Sequence, residues 1–113
     1  MDLFDRLEDP IFLIDPDTLE ILDYNHRCEV YFNLTDKELL KLEIVSFFTT
    51  EEEQENFRKD VRRSKRRYSP QKINVSWIIN SENKHLEIQL CPLDLQDGNK
   101  VIQVLLKDVT EKV

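Results

Sequence analysis

The feature that most constrains this chain is a change of hydrophobic period near residue 70. Beyond it, Ile73, Val75, Trp77 and Ile79 alternate with Lys72, Asn74 and Ser76. Leu86, Ile88 and Leu90 then alternate with His85, Glu87 and Gln89, and the run 101–107 carries Ile102, Val104 and Leu106 on one face. Period two is the signature of a strand with one buried face. The segment 80–84 joins the first two strands as a hairpin, and Asp97-Gly98-Asn99 is the strongest turn signal in the chain. Three adjacent strands, each with one apolar face, need a cover.

The first half supplies it. Ile11-Phe-Leu-Ile-Asp15 and Leu19-Glu-Ile-Leu-Asp-Tyr24 read as two strands around the Pro16-Asp17-Thr18 turn. Asn25 is a candidate N-cap for a short helix carrying Cys28, Tyr31 and Phe32. Thr35-Asp-Lys-Glu38 and Thr50-Glu-Glu-Glu53 are capping boxes; the first opens a helix through Leu39, Leu40 and Leu42, the second a long helix over 51–67. A short turn at Ile44–Phe48 separates these two helices. The long helix has a thin apolar face, essentially Phe57 and Val61. Ahead of everything, Leu3, Phe4 and Leu7 form the stripe of a short amphipathic helix that Asp9-Pro10 ends.

With 113 residues there is room for one domain, burying roughly two thirds of the surface its unfolded form exposes. No apolar run approaches the roughly 18 residues of a membrane span, and the start, Met1-Asp-Leu-Phe-Asp5, is not a leader peptide. Cys28 and Cys91 stand apart, without CxxC spacing, as two reduced thiols. A cytoplasmic chain is the expectation. The single glycine, Gly98, excludes phosphate-cradling loops, and hands the turns that need positive φ to residues such as Asn25, Asn33, Asn80 and Asn83.

The net charge of -7 is unevenly spread: residues 1–57 hold 16 acids and 4 bases, whereas 58–67 hold 7 bases and 1 acid. An acidic body argues against nucleic-acid or membrane-surface binding. The basic run Arg58, Lys59, Arg62, Arg63, Lys65, Arg66 and Arg67 closes a helix that Glu51, Glu52, Glu53 and Glu55 open, the order its macrodipole favours, with Glu55 and Lys59 spaced as an i, i+4 pair. His26, Cys28, His85 and Cys91 do not make a metal site, because side chains two apart on a helix diverge. No base accompanies Cys28, so no catalytic set is assigned. The aromatic and apolar set Phe12, Tyr24, Tyr31, Phe32, Phe47, Phe48, Phe57, Val61 and Trp77 either lines a ligand cavity between helices and sheet or simply fills the core.

Three segments in order, Ile21-Leu-Asp-Tyr-Asn25, Leu34-Thr-Asp-Lys-Glu-Leu-Leu40 and Asp108-Val-Thr-Glu111, resemble the PAS (sensory box) family, over about residues 8–112. The chain departs from that pattern at Lys41, where a glycine is frequent, and at Ser81-Glu-Asn-Lys84, where Asp-Gly is frequent, which leaves the turn geometry there open. The resemblance implies an α+β fold: a five-stranded antiparallel sheet with helices on one face, in the order ββ-αααα-βββ. It divides the chain into an N-terminal helix at 1–8 and the PAS domain at 9–113.

It also implies a non-enzymatic signal-input module of a bacterial signalling protein. Such a module would feed a downstream histidine kinase, cyclic-dinucleotide or transcription regulator on the same chain, the alternative being a ligand-free dimerisation module. Asp108 and Thr110 would then relay the signal, and Leu3, Phe4 and Leu7 would form a homodimer interface. Haem and adduct-forming flavin, as in LOV relatives, are disfavoured, because 43–50 lacks a cysteine and 27–67 lacks a histidine. A small organic ligand remains compatible with the fold.

Overall fold

The alternating segments pair as their periodicity requires. The computed structural model describes residues 8–112. In chain order they form β1 (Ile11–Ile14), β2 (Ile21–Tyr24), α1 (His26–Phe32), α2 (Asp36–Leu40), a 3-10 turn (Ile44–Phe47), α3 (Glu51–Arg67), β3 (Gln71–Ile79), β4 (Glu82–Asp94), β5 (Lys100–Asp108) and a final 3-10 turn (Thr110–Lys112). The strands make one sheet in the order β2-β1-β5-β4-β3, every pair antiparallel. The N-terminal hairpin and the C-terminal meander meet where β1 pairs with β5. The four expected helical pieces are three α-helices and one 3-10 turn. No helix among the described residues is long and apolar enough to cross a membrane. The amphipathic stripe Leu3, Phe4 and Leu7 lies outside the described residues.

Register decides which side chains face the helices. Phe12 stands opposite Val104, Ile88 opposite Leu106, and Val75 opposite Leu86. On that face Phe12, Ile14, Trp77, Ile88, Leu90, Ile102 and Val104 are essentially inaccessible and form one core with Cys28, Phe32, Leu39, Phe57 and Val61. Burial of a large apolar side chain contributes about 1.5–3 kcal/mol each, so this layer is the main source of stability. Pro92 sits within β4 at no cost to a central ladder. Pairing with β3 ends at Leu90, and from there β4 is bonded on one side only, to β5.

Four local readings need correcting. The 80–84 loop is a two-residue turn: Ile79 pairs with Glu82, while Asn80 and Ser81 take φ of 53° and 65°, the geometry of a type I′ hairpin. Positive φ falls on Leu19, Asn33, Tyr68, Asn80, Ser81 and Gly98, not on Asn25 or Asn83. Asn83 is extended in β4 because the tighter turn lengthens the strand. Asn25 occupies the N-cap position of α1 but makes no capping bond; its side chain is held elsewhere, as described below.

The two capping boxes also differ. Thr35 and Glu38 satisfy each other's backbone N–H, at 3.3 and 3.0 Å. At α3 the Thr50 hydroxyl accepts from Glu53 N–H at 3.1 Å, but the Glu53 carboxylate is taken by the hydroxyls of Thr49 and Thr50. Further along α3, Glu55 pairs with Arg62 at 3.3 Å and not with Lys59, while Arg63 meets Asp60 and Lys65 meets Asp17. The basic run is thus partly neutralised by the domain's own acids.

Candidate functional site

The aromatic set does not surround one cavity. Phe12 packs on Phe32, Phe32 stacks on Phe47, and Phe47 stacks on Trp77, with centroids 5.5, 5.2 and 5.0 Å apart. Phe48 and Phe57 meet the same indole edge-on. Phe12, Phe32, Phe57, Val61 and Trp77 are buried side chains filling the space between helices and sheet. Tyr24 and Tyr31 stand at the margin. The Tyr24 hydroxyl donates to the Asp36 carboxylate, tying β2 to α2. Trp77 carries the unusual feature of this core: its Nε1–H has no acceptor among the described residues. A buried unpaired donor costs about 1–3 kcal/mol.

Asn25, fully buried, clamps the start of β1. Its Oδ1 accepts from Ile11 N–H at 3.0 Å and its Nδ2 donates to the Asp9 carbonyl at 2.9 Å. The Cys28 thiol donates to the Ile11 carbonyl at 3.3 Å, and burial pushes its pKa up to about 12. It is an inert core group. Cys91 is also a free thiol. His26 contacts Glu29, His85 contacts Ser76, and no cluster of three metal-ligating side chains exists among the described residues.

Asp108 and Thr110 lie at the end of β5, in a network that joins three elements. Tyr31 Oη, from α1, donates to Asp108 Oδ2 at 2.6 Å. Asp108 Oδ1 accepts from the Thr110 N–H and hydroxyl at 2.9 and 2.5 Å. Thr110 Oγ1 accepts in turn from His85 N–H at 3.0 Å, and Val109 N–H donates to the His85 carbonyl at 2.9 Å. Burial pushes the Asp108 carboxyl up, but hydrogen bonds from Thr110 and Tyr31, with the Lys84 charge, outweigh it and hold it below its ordinary value. Burial, then the Asp108 carboxylate, raise the Tyr31 hydroxyl well above its usual range, so it remains a donor.

A cleft of about 770 Å³ opens between α3 and the edge strand β3, within the range of small-molecule sites. Phe48, Phe57, Ile73, Val75 and Leu86 form its apolar wall, Glu53, Asn56 and Asp60 its α3 rim, and His85 and Val109 its end beside the β5 exit. Of the sequence-derived set, only Phe48 and Phe57 line it. Sequence reasoning missed Glu53, Asp60, His85 and Val109. The signal for His85 was present: a two-residue turn at Asn80-Ser81 sets Ser76 against His85. For Glu53 and Asp60 the 3.6-residue period places them beside Phe57, toward the margin of the buried face.

The model of the PAS domain family matches residues 8–111. Among solved structures, the chain is similar to the PAS domain of an HTR-like protein from Haloarcula marismortui, at 20% identity and a TM-score of 0.76, over 94% of this chain and 85% of that one. It is similar to the PAS domain of nitrogen regulation protein NR(II) from Vibrio parahaemolyticus, at 11% identity and a TM-score of 0.74, over 96% and 99%. A domain of the sensory box sensor histidine kinase/response regulator from Geobacter sulfurreducens aligns at 18% identity and a TM-score of 0.67, over 91% and 86%. At these identities the likeness is one of fold. No curated protein matches the chain.

Proposed function

This chain belongs to the PAS domain family, and on that premise we propose that it is a signal-input module passing strain from the end of β5 to an output domain on the same chain. The observation that carries this reading is the Tyr31, Asp108, Thr110 and His85 network, which ties α1, β4 and the chain's exit from the sheet into one unit. A shift of α1 or β4 is felt at the exit. The sensor histidine kinase named for a similar structure supports a histidine kinase output ahead of a cyclic-dinucleotide or transcription regulator. The domain itself is non-catalytic on this reading: Cys28 is buried as a thiol whose hydrogen-bond partners among the described residues are the Ile11 carbonyl and Asn25 Oδ1, neither of them a base. Two free thiols fit a cytoplasmic location.

The test separates stability from output. Asp108→Ala in the full-length parent should change its output activity, while the isolated domain loses only about 1 kcal/mol, since the group is partly solvent-screened. Normal regulation in the mutant parent would overturn the reading.

The proposal includes homodimerisation through Leu3, Phe4 and Leu7. Leu3→Asp with Leu7→Asp should then lower the sedimentation mass to that of a monomer, and an unchanged mass refutes the interface. It also includes a colourless domain, checked by the absence of any visible absorption band after gel filtration. The filled aromatic core favours a second reading, a ligand-free dimerisation module. Native mass spectrometry of freshly purified protein distinguishes the two by whether a small molecule is retained.

A further inference from the structure

We propose, on the reading of the chain as an input module, that the cleft between α3 and β3 binds a small organic cation with an aromatic or apolar body. Shape, wall and charge point to one ligand chemistry. The wall is apolar, and two of its members, Phe48 and Phe57, are aromatic side chains buried at the back of the space. The rim carries two carboxylates, Glu53 and Asp60, while no lysine or arginine lines the cleft among the described residues. An anion would meet two like charges, with a counter-charge only in Arg63, which is already paired to Asp60. A cation meets both carboxylates beside an apolar wall that its body can cover.

The two carboxylates are not equivalent. Glu53 is already engaged through Oε1 by the hydroxyls of Thr49 and Thr50. Asp60 has one long contact, Oδ1 to Arg63 Nη1 at 3.3 Å. Burial raises the Asp60 carboxyl above its ordinary value, against the pull of Arg63. A half-desolvated carboxylate with unused acceptor capacity is what an ammonium group would complete. Asp60 is therefore the anchor, and Glu53 adds charge at the mouth. The far end of the cleft touches His85 and Val109, whose backbone bonds hold the β5 exit. Occupancy would press on the same bonds that Asp108 and Thr110 brace.

Trp77 is the chain's single tryptophan and lies behind Phe48 and Phe57, at centroid distances of 5.6 and 6.5 Å. Its fluorescence reports on the cleft without a label. The experiment titrates the domain with phenethylammonium and, in parallel, with 3-phenylpropionate, which has a similar body and the opposite charge. We expect a saturable fluorescence change with phenethylammonium and at least tenfold weaker binding of phenylpropionate.

Asp60→Asn should weaken phenethylammonium at least tenfold. Asn56→Lys, at an exposed lining position where folding is not at stake, should do the same by placing a competing cation at the rim. Saturable binding lost in both variants supports the proposal. No saturation up to 10 mM (on the order of the weakest specific ligands), a preference for phenylpropionate, or unchanged affinity in Asn56→Lys overturns it. Each of those failures leaves the relay reading standing, because that is decided by Asp108→Ala in the parent.

Discussion

At Ser81 the backbone adopts a φ of 65° and carries an ordinary L side chain. Left-handed geometry costs a non-glycine residue about 1–2 kcal/mol, and serine has less local compensation there than the preceding Asn80. Ser81→Gly should therefore stabilise the domain by about 0.5–1 kcal/mol, after the entropy glycine adds to the unfolded chain, and raise Tm by a few degrees. An unchanged or lower Tm would show that the turn is not strained. Asn25 gives the opposite expectation. Asn25→Leu strands the Ile11 N–H and the Asp9 carbonyl, so a loss of about 2 kcal/mol or more is expected in denaturant unfolding. That role was not legible in the sequence, where Asn25 reads as a cap, because its partners lie 14 and 16 residues away. Local rules see caps; they do not see clamps.

Element boundaries followed local chemistry where that chemistry was complete. The Thr35 box, the α3 span and the alternation of β3 to β5 were readable because capping and period two are short-range signals. The hairpin at Asn80-Ser81 was read too long, since Glu82, Asn83 and Lys84 are polar and only the pairing of Ile79 with Glu82 shows them to be strand. The cleft was the least legible part. It arises because α3 lies nearest β4 and β5 and leaves the edge strand β3 partly uncovered, a tertiary offset that no sequence period encodes.

The two N-caps yield a prediction at this scale. Thr35→Ala removes the hydroxyl half of a reciprocal box, leaving the Thr35 N–H bonded to Glu38, and should cost about 1 kcal/mol. Thr50→Ala removes one backbone bond and one of the two hydroxyls that hold Glu53, so α3 should fray at its first turn, with faster amide exchange at 51–54. Equal exchange in mutant and parent domains would show that the helix start is held by packing alone.

Across the whole molecule, the Tyr31 to Asp108 bond is where the helical layer and the sheet's exit share one proton donor and one carboxylate. The signs of the two shifts make a pH prediction. Asp108 is depressed below its ordinary 3.8, so the network's contribution is complete above that value and is lost as pH falls through the lower folded-state value. Tyr31 is raised above its ordinary 10.0 and keeps its proton through the neutral range. Wild type and Asp108→Asn should therefore differ in stability at neutral pH and converge in acid, a comparison that denaturant midpoints at several pH values can make.

The same bond predicts non-additivity in signalling. If Tyr31 reaches the exit only through Asp108, Tyr31→Phe should shift the parent's output in the same direction as Asp108→Ala. The double mutant should then go no further than Asp108→Ala alone. The isolated domain should register Tyr31→Phe as only about 1 kcal/mol, because the phenol ring still packs on Phe32. Additive effects on output would mean that α1 and the β5 exit act by separate routes. A large stability loss in Tyr31→Phe would instead make the bond part of the domain's framework, leaving the His85 and Val109 side as the route by which strain leaves the sheet.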